Sequence, residues 1–560
     1  MQEARIGSLD ELRAKGCLAG KVGSQPVCVF WSDAQAYAVD DRCPHMGFPL
    51  HRGSVQDGLL TCHWHHARFD LASGGTLDPF ADDVRAHAVE IRGDDVVVTL
   101  RADVDPVAHH LHRLEEGLEQ GLTLVMAKAV LALVDLMGPA DGAAAALRAG
   151  VDFGIANRAT GWGAGLTVLT AMANVLDLLD PSDRVLALVH GLGFVSRDTR
   201  GRPPRFALAP LTADIPLARL GSWYRRFVDT RNGDAAERVV ATAAGSGAGP
   251  WELADLAGAA ITDHVFVDVG HTIDFTNKAF EALEHLGWER ASTVLPTLAQ
   301  QSAAASRSEE TGSWRHPNDL AELLRPVQTA GAPPVGAGDF TDEDVDSLAW
   351  LLLGDEPRQV VEALDTAVAG GASYEQIARA VSYAAALRLV RFHTQNDHGD
   401  WDEVHHGFTT ANATHQMIGR APTPSLARGI YQAALKVFLD RFLNIPAARL
   451  PAHHPMAAEE PDLDRLSSCW DQEGMVDEAG AIVYRWVRSG RDQAAAVAAL
   501  GSALLAEDAD FHWYQPTRRR CVRPGRGRPA PSRPPSSSPE PPASSPLTHR
   551  RVASCLRSSV

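Results

Sequence analysis

Along the first hundred residues the apolar positions come in short bursts. "QPVCVFWS" (25–32), "AYAVDD" (36–41), "LLTCHW" (59–64) and "VVVTL" (96–100) are β-branched or aromatic and are separated by Gly- and Asp-containing turns, which predicts strands. From about residue 106 the spacing changes. "GLTVLTAMANVLDLLD" (165–180), "SYEQIARAVSYAAALRLVRFHTQ" (373–395) and "SLARGIYQAALKVFLDRFLN" (425–444) repeat apolar residues every three or four positions, with Gly or Pro at their ends, which predicts helices. The last segment, 516–560, is Pro, Arg and Ser with almost no large apolar residue and cannot build a core. The expected organisation is multidomain: a small all-β domain over 1–105, a large all-α, His-rich domain over 106–515 and a disordered tail over 516–560.

Composition narrows this picture. A chain of 560 residues with 45% apolar content is too long for one ordinary domain and rich enough for sizeable cores. Its longest apolar run, "LTLVMAKAVLALVDLM" (122–137), is shorter than a membrane span and is interrupted by Lys128 and Asp135. No secretory signal pattern opens the sequence, so a cytoplasmic protein is expected, with no membrane partner. The net charge is −18, and the tail carries ten arginines against a single acidic residue, so the remainder is more acidic still; nucleic acid is not the expected partner. The tail's composition also fits an out-of-frame reading of a GC-rich gene, and it is assigned no function.

Seven cysteines do not make a disulfide framework, but two of them stand in an unusual setting. Cys43-x-His45 is followed, after a 16-residue gap, by Cys62-x-x-His65. Two thiolates can hold one iron of a 2Fe–2S cluster and two imidazoles the other. A zinc site is the competing reading, although a zinc finger usually pairs Cys with Cys and then His with His.

The surrounding residues decide between them. "AVDDRCPHMGFPLHRG" and "LTCHWHHARFDLASGG" closely resemble the two cluster-binding loops of Rieske [2Fe-2S] ferredoxins and oxygenases, over about residues 5–104. The resemblance implies that Cys43 and Cys62 bind one iron and His45 and His65 the other, and that His51, His63 and His66 are loop residues. Where the cytochrome bc branch of that family carries extra cysteines and cluster-bonding hydroxyls, this chain has Phe48, Trp64, Ala67 and Phe69. A potential toward the low end of the Rieske range is therefore expected.

An electron carrier needs an acceptor, and the helical region repeats one pattern that could supply it. "DHVFVDVGH" (263–271) and "DHGDWDEVH" (397–405) both read D-H-x3-D-x2-H. On a helix, His264, Asp268 and His271 would share one face, as would His398, Asp402 and His405. Carboxylate and His pairs on facing helices are the logic of di-iron bundles, so these six residues are the expected second site, holding a non-haem iron. Glu403-x-x-His406 is a rival register, and His190, His393, His415 and His512 are further candidates. A His-lined substrate pocket without metal and purely structural histidines are the alternatives. The helical region also weakly resembles questin-oxidase-like proteins over about 150–515, in texture and scattered histidines and not in any sharp motif.

The expected function is an oxidoreductase in which the cluster delivers electrons to this second centre for oxygenation of a small organic substrate. No G-x-G-x-x-G follows a strand, so the electrons are expected from an external flavin- or NAD(P)H-dependent reductase or a ferredoxin. Two other readings stay open: an electron-transfer adaptor that docks a separate oxygenase, and a metal-dependent hydrolase with a redox-sensing cluster.

Overall fold

The computed structural model describes residues 2–101, 105–311, 318–451, 462–507 and 509–514. The expected disordered tail lies outside the described residues, as do the side chains of His398 and Trp513. The described chain divides into two compact units, one ending at Ala146 and the other starting at Leu147.

The first unit is built on nine strands. A six-stranded antiparallel sheet runs β1 (Glu3–Ser8), β9 (Asp95–Thr99), β8 (Ala86–Arg92), β4 (Gln35–Asp40), β3 (Gln25–Ser32), β2 (Cys17–Val22) in spatial order. A smaller sheet joins β5 (Ser54–Gln56), β6 (Leu59–Thr61) and β7 (Arg68–Asp70). Strand β3 explains why there are two cores. Its side chains alternate between faces, and both faces are covered. Val27 and Val29 pack with Leu12, Leu18, Val96 and Val98. Cys28 and Phe30 turn the other way, onto Leu50, Leu60, Phe69, Cys43 and Cys62. The second core is the floor on which the two Cys/His loops rest.

The contact boundary lies beyond the composition boundary, because two helices belong with the strands. Helix α1 (Leu9–Lys15) sits between β1 and β2, while α2 (Pro106–Gln120) and α3 (Thr123–Met137) follow β9. The start of α2 is set locally: Asp105 accepts a hydrogen bond from the Ala108 amide, Pro106 occupies the first turn, and Gly121 ends the helix at φ 71°. A Cβ at Gly117 would meet Met126 Cγ at 2.8 Å, so glycine permits the close approach of α2 to α3.

Beyond residue 105 every regular element among the described residues is a helix, as the periodicity predicts. Reciprocal caps recur: Ser373 Oγ accepts from the Gln376 amide and Gln376 Oε1 accepts from the Ser373 amide, opening the helix Tyr374–Val390. Among the described residues no helix is long and apolar enough to cross a membrane.

One expectation about this region needs correction. The first D-H-x3-D-x2-H copy does not lie on a helix: the helix Pro250–Thr262 stops before it, and His271 opens the next, His271–Leu286. Between them Phe266, Asp268 and Val269 adopt left-handed φ values of 46°, 49° and 50°. The segment is held by tertiary bonds, Asp268 N–H to the Ser306 carbonyl and Ser308 N–H to the Val265 carbonyl, and Gly270 is so close to Thr410 that a Cβ would lie 1.8 Å from its Oγ1. These long-range contacts override the local spacing. The second copy does lie on one helix, His398–Arg420.

The floor of the Cys/His loops is strapped by one ion pair with a pH signature. Asp78 accepts from the Arg68 amide at 2.8 Å and from the Arg68 guanidinium at 2.8 and 3.1 Å. Its hydrogen bond from the Arg68 side chain holds the carboxyl below the usual range. Stability from a depressed carboxyl is present above its unfolded value of about 3.9 and is lost as pH falls through the lower folded value. Asp78→Asn should therefore weaken hydrogen-exchange protection of β6 and β7 at pH 6.5, and the difference from wild type should shrink as pH falls below about 3.9 toward the lowered folded value.

Candidate functional site

Two loops of the first unit fold the same way. In the loop after β4, Cys43 N–H donates to the Phe48 carbonyl and Gly47 N–H donates back to the Cys43 carbonyl, at 2.8 and 2.7 Å. In the loop between β6 and β7, Cys62 N–H donates to the Ala67 carbonyl and His66 N–H to the Cys62 carbonyl, at 2.9 and 3.0 Å. The fifth residue of each turn is left-handed, Gly47 at φ 82° and His66 at φ 61°. Gly47 takes this conformation freely, whereas His66 is held in it by the turn.

These turns bring together the four residues singled out by spacing. Cys43 and Cys62 are 2% and 1% exposed, on the same core, and near enough that burial together with the Cys62 thiol pushes Cys43 up to about 11. The rings of His45 and His65 meet edge to face with centroids 4.8 Å apart. His45 Nδ1 is buried without a hydrogen-bond partner. Burial, reinforced by the His65 ring and the Lys128 ammonium, holds this imidazole below its usual range, hence neutral. Two buried thiols and an orphaned imidazole nitrogen are costly unless a cation satisfies them, so the residues present fit an iron–sulfur cluster.

The other histidines of the stretch have separate duties. His51 Nδ1 pairs with Asp41 Oδ2 at 2.6 Å, His63 Nε2 meets Ser54 Oγ at 3.0 Å, and His66 forms the left-handed corner. Ala67 and Phe69 are buried behind the loops, and Trp64, half exposed, stacks on His65 at 4.8 Å.

In the helical unit the five expected residues with described side chains do not converge, and the His398 side chain lies outside the described residues. His264 Nδ1 pairs with Glu309 Oε1 at 2.9 Å, Asp268 is exposed, and His405 is buried beside Trp401. His271 is brought instead to His406 and His512, one ring nitrogen of each lying within 4.8 Å of the others. His406 Nε2 and His512 Nε2 are 3.2 Å apart, and the His271 ring meets that of His406 edge-on at 4.6 Å. Burial, with His271 and His512 adding, drives His406 down to about 2, and burial with His512 lowers His271. Both are neutral lone-pair donors near pH 7. Phe275 and Phe511 line the cluster. Glu403 Oε1 stays 4.0 Å from His406 Nδ1, while its other oxygen accepts from Lys436 Nζ at 2.6 Å.

Two further candidates have other partners. His190 Nδ1 bonds the Tyr514 hydroxyl at 2.6 Å, and His393 Nδ1 accepts the Gln395 amide at 3.2 Å in a turn. The rival register on the second helix, ending at His406, is thus the one that faces other histidines.

Comparison with known proteins bears on the first unit. The family model described as "Rieske [2Fe-2S] domain" matches residues 2–101. The ferredoxin component of biphenyl 2,3-dioxygenase from Rhodococcus jostii (strain RHA1) is 29% identical over 19% of this chain and 98% of its own length. The anthranilate 1,2-dioxygenase ferredoxin subunit of Burkholderia cepacia is 28% identical over 17% of this chain and 89% of its own. The solved ferredoxin of carbazole 1,9a-dioxygenase from Nocardioides aromaticivorans IC177 aligns at 26% identity over 18% of this chain and 100% of that one, with a TM-score of 0.17. Residues 2–101 are a Rieske [2Fe-2S] domain, homologous to the ferredoxin components of dioxygenase systems and hence an electron-transfer module with a 2Fe–2S cluster.

Proposed function

We propose that the chain is an oxidoreductase with two metal centres. Cys43 and Cys62 hold one iron of the cluster and His45 and His65 the other, an external reductase or ferredoxin supplies electrons, and the helical unit holds a non-haem metal on His271, His406 and His512 for oxygenation of a small organic substrate. The observation that carries the second half is the meeting of three imidazoles from separate segments, of which burial holds His271 and His406 neutral. Burying His271 and His406 as neutral rings beside one another is costly, and a first-row metal ion is the partner such lone pairs suit.

The cluster, when bound, supplies one-electron transfer at a potential above that of an all-thiolate 2Fe–2S cluster. The chain's own residues set where that electron is exposed. Cys43 and Cys62 sit on the apolar floor, whereas His65 is at the surface beside Trp64. The His65 face is therefore the side a redox partner reaches. In the helical unit, Phe275 and Phe511 shield the three rings from water and favour an apolar substrate portion.

A second reading has one observation in its favour. Among the described residues the three-histidine set has no carboxylate within bonding distance, a composition that catalytic zinc sites also use. A zinc hydrolase whose Rieske domain senses redox state follows from that set.

Metal analysis of anaerobically purified protein separates these readings. Iron should exceed acid-labile sulfide by one atom per chain, and His406→Ala should remove that excess and the dioxygen uptake that depends on cluster reduction, leaving the sulfide unchanged. Iron equal to sulfide, with one zinc per chain, would favour the hydrolase; iron equal to sulfide without other metal would leave an electron-transfer adaptor. For the cluster itself, replacing both His45 and His65 by Cys should lower the midpoint potential by roughly 200 mV or more, as read by spectroelectrochemistry.

A further inference from the structure

Lys128 interrupts the apolar helix α3, and its position explains why. From α3 its ammonium reaches back to the first Cys/His loop, donating to the Pro44 carbonyl at 2.7 Å and also to the carbonyl of His45 itself. A second clamp comes from α2. Arg113, buried, donates to the carbonyls of Pro79 and Ala81 at 3.2 and 2.9 Å. Between those two carbonyls stands Phe80, whose ring packs edge-on against His45 at 5.0 Å. Pro44, Phe80, Arg113, Val125 and Lys128 line a cavity of about 320 Å3 behind the ligand loop. The α2–α3 pair thus holds the His45 side from two directions, while His65 faces outward under Trp64.

This arrangement does more than anchor a loop. Lys128 is also within electrostatic reach of the Cys43 thiol. Reduction adds one negative charge to a cluster, and a fixed cation in a partly desolvated position favours the reduced form. The loops themselves offer apolar groups, Phe48, Ala67 and Phe69, where hydroxyl donors would otherwise stabilise that charge.

We propose that Lys128 is a positioning residue of the Rieske site: it fixes the His45 loop through two backbone carbonyls and, by its charge, holds the midpoint potential above the value the hydroxyl-free loops would set alone. This rests on the assignment of Cys43, His45, Cys62 and His65 as cluster ligands. The oxidised cluster keeps its ligands throughout; only one electron, delivered by an external reductant, is added, and Lys128 neither gains nor loses a proton.

The test is a redox titration of the full-length protein followed by visible circular dichroism and electron paramagnetic resonance, with Lys128→Gln, Lys128→Met and Lys128→Arg beside wild type. Gln and Met should shift the midpoint to lower potential at unchanged iron and sulfide content, and Arg should keep it near wild type. Using two neutral variants means that one failing to retain its cluster leaves the other to decide. Midpoints of Gln and Met equal to wild type, with intact Rieske spectra, would overturn the proposal. Absence of a Rieske spectrum from the wild type would instead remove the ligand assignment, and the proposal with it.

Discussion

The N-terminal site depends on two backbone turns. Each is closed by the same pair of hydrogen bonds, from the cysteine amide forward to the sixth residue of the turn and from the fifth residue back to the cysteine carbonyl. These bonds satisfy main-chain groups that the buried cysteines would otherwise leave unpaired, and they curl two loops from different places in the sequence into matching cups. The apolar floor of Phe30, Leu50, Leu60 and Phe69 then fixes the cups against each other. Everything that follows about thiols, imidazoles and charge rests on that geometry.

Both candidate centres pose one electrostatic problem. At the first, burial pushes the Cys43 thiol toward protonation and a buried imidazole nitrogen of His45 has no hydrogen-bond partner. At the second, three imidazoles crowd together, and burial drives the central one far below its ordinary range. Such groups are unfavourable in an empty protein and favourable around a cation. The centres differ in how they are assembled. The first draws its residues from two local turns and the second from widely separated helical segments, so the second depends on the packing of the whole helical unit.

That difference decides what could be read in the sequence. The Cys43-x-His45 and Cys62-x-x-His65 spacing survives translation into structure because each pair lies within one turn, where spacing determines geometry. The strand-to-helix change near residue 106 was equally legible, since periodicity is a local property. The helical cluster was not. The assumption that His264, Asp268 and His271 share a helical face fails because Phe266, Asp268 and Val269 are left-handed, a conformation that side chains with a Cβ do not advertise. His512 joins His271 and His406 from more than a hundred residues away, and no periodicity links them. Lys128 showed only as a charge in an apolar run; its partners are carbonyls on a distant loop, which carry no residue-type signal at all.

A cluster with two sulfur-bound and two nitrogen-bound terminal positions has a distinctive Mössbauer spectrum, which the 57Fe-enriched protein would reveal. Beside the signal of the iron in the helical unit, two inequivalent cluster irons are predicted in equal amount when oxidised, with the added electron localised on the histidine-bound iron on reduction. Two equivalent cluster irons, or iron with no accompanying sulfide, would contradict this ligation.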